Sequence, residues 1–420
     1  RIGVIAGSFE FVEQSPVGII SMFRAIPEGM VAAASIVFIV FFAGALFNTI
    51  ESTGALENGI GVLVKKLKRK ENAGTKMIWI MTFVFGILGA VVGFENNIAI
   101  VPIGVMIAIA MGYDNLVGSG IAIASIGLGF ATSPINPYTV GVSHAIADLP
   151  IFSGFLLRGA FMLVSLAILA HHTNRYANKV EKDKSNSLAK GLDTSDLELE
   201  QEIEEYKLTS THKAVIGVLV LIIATIIFGT LQFSWYITEI TTVFLIGAII
   251  VGIVARYNPD KIIDVMIEGA SKLTSGALII GVARGISVVL EKGKIADTII
   301  HSLSVPLEDL PSLISGILMS LSHCVINFFI PSGSGQAMAT MPIMIPLSDL
   351  VGISRQTAVL AFQIGDGVMN LIVPTLGGLL AMLALARVPF DRWFKFIYPM
   401  VIKVILIGWL FITIATLIGY

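Results

Sequence analysis

The chain has 420 residues, 55% hydrophobic and only 13% charged, with a mean hydropathy of +0.88, whereas soluble domains carry about 25% charged residues. These values exclude a disordered chain, and apolar stretches of about twenty residues exclude a β-barrel, whose spanning strands alternate over about ten. A formal net charge of -2 offers no overall basic surface for a nucleic acid, and the single Cys324 excludes an intrachain disulfide framework.

In chain order, residues 1–27 read as short loops or amphipathic segments. No long apolar core precedes Glu10, so no cleavable signal peptide is expected, and an N-terminal helix is expected to be missing from the sequence. Plain apolar spans follow at 31–50, 151–170, 214–229, 237–255, 274–290 and 401–417. Four other apolar stretches, 75–112, 117–148, 313–350 and 357–388, are interrupted by Gly, Pro and polar residues. A helix break at membrane depth is tolerated only where it lines a cavity or is buried in protein, so broken helices and hairpins are expected there. The one polar segment, 174–212, contains an acidic run from Asp196 to Glu205 and reads as a solvated cytoplasmic linker between two halves, 1–173 and 213–420.

Lys65, Lys66, Lys68, Arg69 and Lys70 form one basic cluster, and Arg175, Lys179, Lys182 and Lys184 another. Placing both in the cytoplasm also puts Arg256 with Lys261, and Arg387 with Arg392 and Lys395, on that side, provided that 75–112 and 313–350 are re-entrant hairpins. Many landmarks recur 240 positions apart: Glu28-Gly29 with Glu268-Gly269, Glu51 with Glu291, Gly93 with Gly333, Pro102 with Pro342, Gly112 with Gly352, Gly127 with Gly367, and Pro134 with Pro374. An ungapped register over that length is the mark of an internal repeat. The orientation makes the halves run oppositely, and inverted repeats with discontinuous helices belong to secondary transporters whose site lies near the bilayer midplane.

The breaks supply the candidate ligands. Glu95, Asn96 and Asn97 stand at the first hairpin tip, Ser133 and Asn136 in the first broken span, Ser332, Ser334 and Gln336 at the second tip, and Asp366, Asn370 and Thr375 along the second broken span. A carboxylate at membrane depth costs on the order of 2.5 to 3.5 kcal/mol, which argues for a role for Glu95 beyond fixing a helix start. Asp366 is expected to face the same cavity. Arg284, in Gly281-Val-Ala-Arg-Gly285, is read as forking onto a substrate carboxylate, or else as pairing with a neighbouring helix or snorkelling to the interface. Asn327 is a further polar candidate. His144 and His323 read as hydrogen-bonded packing residues with a lesser claim as proton shuttles. Trp79, Trp235, Trp393 and Trp409 read as interface anchors. No Cys or His cluster with ligand spacing and no Walker loop occur, so no metal, no cofactor and no ATP-driven pumping are expected.

With Ala45-Leu-Phe-Asn-Thr-Ile-Glu-Ser-Thr-Gly54, Ile135-Asn-Pro-Tyr-Thr-Val-Gly141, Ile330-Pro-Ser-Gly-Ser-Gly-Gln336 and Asp366-Gly-Val-Met-Asn-Leu-Ile-Val-Pro-Thr375, the chain resembles the anaerobic C4-dicarboxylate carrier-like family of the ion-transporter superfamily. Within it, the resemblance is to the branch of proposed basic amino acid antiporters. It implies an all-α polytopic protein of the bacterial cytoplasmic membrane, paired re-entrant hairpins, an elevator-like movement and a homodimer in the lipid bilayer. Relatives tend to carry two adjacent acidic residues at the first tip, where this chain has Glu95 followed by Asn96. The expected function is secondary transport of a small charged metabolite, foremost exchange of basic amino acids of the arginine/ornithine type. The alternative is a C4-dicarboxylate carrier coupled to Na⁺ or H⁺; an intramembrane aspartyl protease or a channel is remote.

Overall fold

The computed structural model describes residues 9–420 apart from 69–71, 199–204, 234 and 308–309. Arg69 and Lys70 of the first basic cluster and most of the acidic run therefore lie outside the described residues. Among those described there are helices and no strands, and eight helices are long and apolar enough to cross a membrane. The first half comprises α1 (Ile19–Ala32), α2 (Ala34–Glu51), α3 (Ala55–Lys68), α4 (Ala73–Val92), α5 (Val101–Ala110), α6 (Asn115–Ser119), α7 (Ser125–Thr132), α8 (Val142–Ile146) and α9 (Phe155–Lys182). A π-turn makes α6 and α7 one continuous rod, and α5 and α8 are each preceded by a helical turn, Glu95–Ile100 and Pro137–Gly141. Then come α10 (Ser210–Phe233), α11 (Ile237–Val254), α12 (Pro259–Lys272), α13 (Thr274–Lys292), α14 (Ala296–Ser304), α15 (Ser312–Phe329), α16 (Gly333–Leu350), α17 (Arg355–Met369), α18 (Gly377–Leu385) and α19 (Phe390–Ile418).

The stretch read as short loops or amphipathic segments before the first span contains the start of α1, and α9 stays helical through Asn174 and Arg175 to Lys182, into the stretch read as a linker. Helix boundaries follow the 240-residue register. The bounds of α12 lie 240 positions beyond those of α1, and α6 and α17 begin at Asn115 and Arg355. The caps recur with them: Asp114 accepts from the backbone N–H of Val117 and Ser354 from that of Thr357, each satisfying one orphan donor of a helix start.

Small residues let these helices cross closely. A Cβ on Gly29 of α1 would lie 2.5 Å from the backbone nitrogen of Gly285 on α13, and one on Gly44 of α2 would lie 2.7 Å from the carbonyl of Gly269 on α12. Thus α1 packs against α13, and α12, its counterpart 240 positions on, packs against α2, through the close backbone approach that helices use in lipid, where no hydrophobic force drives them together.

Both interrupted stretches before the broken rods turn back on themselves. Gly74 at the start of α4 packs against Tyr113 beyond the end of α5, and a Cβ on Gly352 beyond α16 would stand 3.4 Å from Ser312 Oγ at the start of α15. Each hairpin straddles a rod: α4 and α5 pack on α6–α7, and α15 and α16 on α17. The rods run antiparallel. Asn115 Nδ2 donates to the carbonyls of Ala386 and Arg387, both at 3.0 Å, while at the other end Arg355 Nη1 donates to the carbonyl of Ala147 at 2.9 Å.

The basic clusters collect at one end of this bundle. Thr75 bonds Asn174, Tyr257 bonds the Ser52 carbonyl, and Glu51, Lys272, Asp196 and Arg387 line one crevice. Asn115 is buried there, so Asn115→Leu takes the donor from the buried Ala386 carbonyl and from the part-buried Arg387 carbonyl. We expect a loss of about 2 kcal/mol, read as a lowered thermal unfolding midpoint of the purified protein, with no change in helix content by circular dichroism.

Candidate functional site

The two hairpin tips and the two helix breaks meet in the middle of the bundle. At the first tip Gly93 takes a φ of +108°, a conformation that leaves α4 abruptly and that side-chain-bearing residues rarely adopt. The turn is held by its own asparagines: Asn96 Nδ2 donates to the Val92 carbonyl at 2.7 Å and Asn97 Nδ2 to the Gly93 carbonyl at 2.6 Å. In the first broken rod, Ser133 Oγ donates to the Ala90 carbonyl at 2.9 Å, pinning break to hairpin, and Asn136 Oδ1 accepts from the N–H groups of Tyr138 and Thr139 at 2.9 and 3.1 Å. In the second half Ser332 caps α16 by accepting from the Gly335 N–H at 3.3 Å, and Thr375 Oγ1 donates to the Phe328 carbonyl at 3.0 Å.

Between the tips lies a cavity of about 270 Å³. Seven of the sequence-predicted residues line it: Glu95, Asn96, Arg284, Ser332, Ser334, Asn370 and Thr375. The other five are brought to the same centre but stand behind the wall. Asn97, Ser133 and Asn136 are engaged in the backbone repairs described above. Gln336 donates from Nε2 to the His323 carbonyl at 3.0 Å. Asp366 is fully enclosed and faces Asn327, whose Nδ2 donates to Asp366 Oδ1 at 3.0 Å. The expectation that Asp366 faces the cavity is therefore corrected: it lies one layer deeper, below Gly333, where a Cβ would come within 3.5 Å of Asp366 Oδ2.

Glu95 reaches across the cavity floor to α18. A Cβ on Gly378 would sit 2.5 Å from Glu95 Cγ and 3.0 Å from its Oε1, so the side chain lies on the first turn of α18, where the N-cap Leu376 supplies no side-chain acceptor. The positive end of a helix favours a carboxylate. Arg284 enters from α13 and is about one-third exposed; its ion-pair partner is Glu291 on its own helix, at a loose 4.0 Å, and not a neighbouring helix. Its donors remain largely available to a ligand.

Among the cavity residues that escaped the sequence reading are two tyrosines. Tyr138 and Tyr236 form one wall, their rings 5.0 Å apart, with the Tyr138 hydroxyl donating to the Trp235 carbonyl at 2.6 Å. The signal available was the position of Tyr138 immediately after Asn136-Pro137, inside the break. His144 accepts from the Phe152 N–H at 3.0 Å and packs. Trp393 is no interface anchor: it is fully buried, and its indole N–H donates to the Leu371 carbonyl at 2.7 Å, closing an acceptor freed by the second break.

The family description "C4-dicarboxylate anaerobic carrier" matches residues 4–417. The chain belongs to this family. It is therefore a multi-pass membrane protein of a transporter family, in keeping with the bacterial plasma membrane. It is 32% identical over 375 residues, 86% of this chain and 74% of the relative, to a protein of Escherichia coli (strain K12) named as a proposed basic amino acid antiporter, YfcC. It is 29% identical over 411 residues, 96% of this chain and 80% of the relative, to an uncharacterized protein of Haemophilus influenzae. Among solved structures it is similar to the MtrF protein of Neisseria gonorrhoeae, at 16% identity and a TM-score of 0.48 over 99% of this chain and 90% of that one. The YdaH transporter of Alcanivorax borkumensis follows at 14% identity and a TM-score of 0.46, over 100% and 94% of the two chains.

The contact between Glu95 and Gly378 yields a test. In Gly378→Ala the new methyl occupies space held by Glu95, and helix backbone gives way less readily than a side chain. Transport by the variant should fall to the level of Glu95→Gln while its unfolding midpoint stays within a few degrees of the parent, measured by uptake into proteoliposomes and by thermal melting.

Proposed function

We propose that the protein is a secondary transporter that exchanges small amino acids carrying a cationic side chain, of the arginine/ornithine type. One observation carries the reading: a single carboxylate, Glu95, and a single guanidinium, Arg284, line one cavity of about 270 Å³. The guanidinium suits an α-carboxylate as a forked donor, and the carboxylate suits an ammonium or guanidinium group. Pockets for drug-sized ligands start at about 300 Å³, so this one suits a small metabolite. The name borne by the Escherichia coli relative agrees with it.

A C4-dicarboxylate is the second reading. It is favoured by the starts of α16 and α18, whose residues Ser332, Gly333, Leu376 and Gly377 line the cavity and offer backbone N–H groups to an anion. Against it, a dianion would share the cavity with Glu95 and meet one positive side chain.

The working cycle is alternating access by an inverted repeat. Antiparallel rods, hairpins whose ends lie at opposite ends of the bundle, and the 240-residue register support that arrangement. The cavity is lined by Ala33 and Ile36 at the start of α2, whereas Glu51 at its other end lies among the basic clusters. With basic residues inside, the cavity, in the middle of the bundle, faces the external side. The hairpins and rods form the moving part, α1, α2 and α10 to α13 the fixed part, and two copies pair through the fixed part.

The test is uptake of radiolabelled arginine and succinate into proteoliposomes preloaded with ornithine, with fumarate or empty, with and without Na⁺ and pH gradients. Arginine uptake that requires internal ornithine is expected. Glu95→Gln should lower it by at least about tenfold, equivalent to about 1.4 kcal/mol, and Arg284→Gln should raise the KM for arginine. Succinate uptake stimulated by fumarate would replace this reading with the dicarboxylate one.

A further inference from the structure

Behind the cavity wall, Asn327 Nδ2 stands 3.0 Å from Asp366 Oδ1, 3.1 Å from Asn370 Oδ1 and 3.2 Å from Gln336 Oε1. These oxygens come from α17, from the break that follows it and from α16, so three pieces of chain converge on one amide. An amide nitrogen carries two hydrogens, so three acceptors cannot all be satisfied at once. The remaining oxygens fare worse: Asn327 Oδ1 and Asp366 Oδ2 are buried without any hydrogen-bond partner. All four side chains are at most 3% exposed. Among the described residues no Lys, Arg or His makes an ion pair with Asp366.

We propose that Asp366, Asn370, Gln336 and Asn327 form a binding site for a single sodium ion, distinct from the cavity and one layer below it. Where they converge, three oxygens face the two hydrogens of one amide, and an excess of oxygens at one point is what a small hard cation takes and a hydrogen-bond network does not. Half a turn about the terminal torsion of Asn327 exchanges Nδ2 for Oδ1 and presents a fourth oxygen to the same point. Gln336 needs no such turn, because its Nε2 is held by the His323 carbonyl and its Oε1 already faces Asn327. One carboxylate against one monovalent charge leaves the site neutral, which removes the cost of an unpaired buried charge. A divalent ion would leave the site with an uncompensated positive charge in the protein interior, and among the described residues no group of three acidic, His or Cys side chains is placed to hold one.

This inference rests on the transporter reading and adds the coupling ion to it. Asn370 belongs to both places: it lines the cavity and its Oδ1 is one of the converging oxygens. A sodium ion held here ties Gln336 on the second hairpin to Asn370 on the broken rod, and so closes the tip beside which Ser332 and Ser334 meet the substrate.

The experiment is thermal unfolding of the purified full chain in sodium chloride against choline chloride at equal ionic strength, with no amino acid present. The midpoint should rise with sodium concentration, as mass action requires of a ligand that binds only the folded state. Asp366→Asn and Asn327→Leu should abolish the rise, and Glu95→Gln should keep it. If those two variants do not fold, binding of ²²Na⁺ to the parent protein decides, with saturable binding of one ion per chain expected. A midpoint that responds to acid and not to sodium, no saturable ²²Na⁺ binding, or a sodium response that survives in folded Asp366→Asn would each overturn the proposal. Arginine exchange without sodium binding would retain the exchanger and discard the ion site, whereas sodium binding without arginine exchange would do the reverse.

Discussion

Every interrupted helix in this protein creates backbone donors and acceptors that lipid cannot satisfy, and the structure is organised around meeting that need. An unpaired peptide group in hydrocarbon costs several kcal/mol, so a break must bring its own partners. Ser133 reaches the Ala90 carbonyl, Asn96 and Asn97 close the first tip, Asn136 caps the helix beyond its break, Thr375 holds the Phe328 carbonyl and Trp393 takes that of Leu371. Two of these bonds, Ser133 to Ala90 and Thr375 to Phe328, join a hairpin to a rod. The side chains that repair the backbone therefore also fix where the tips stand, and the cavity between the tips is their product.

That division of labour explains how polar residues in one centre come to do different work. Glu95 and Arg284 keep their charged ends toward the cavity because neither is consumed by a strong internal partner. Asn136 and Ser133, in the first broken rod, are committed to backbone groups. Depth separates the two carboxylates: Glu95 crosses the cavity floor to α18, and Asp366 is sealed beneath Gly333 among amides.

Much of this was legible in the sequence because Gly, Pro and cap residues act locally. Gly93 and Gly333, or Pro134 and Pro374, announce breaks wherever they occur, and their common register exposes the repeat. What a side chain does after the break depends on neighbours distant in sequence, and that was hidden. Asp366 reads as a cavity residue until Asn327 is seen to face it. Trp393 reads as an anchor until α19 is packed against the second rod. Arg158, within a span that looked plain, is fully buried because Gln356 and the Ser153 carbonyl receive its donors. Tyr138 and Tyr236 come from opposite sides of the linker and meet only in the fold.

The linker is fastened at three points. Ser187 donates to Asp114, which also receives Tyr176; Asp196 takes the fork of Arg387 at the end of α18; and Tyr206 bonds Glu57 on α3. Leu197, 2% exposed, fills the crevice between α2, α12 and α18. Chain length between such anchors is a mechanical limit, since each residue extends by at most about 3.6 Å. A linker fastened at both α18 and α3 is a leash: any separation of these helices beyond its length would have to break the Asp196–Arg387 pair and expose Leu197.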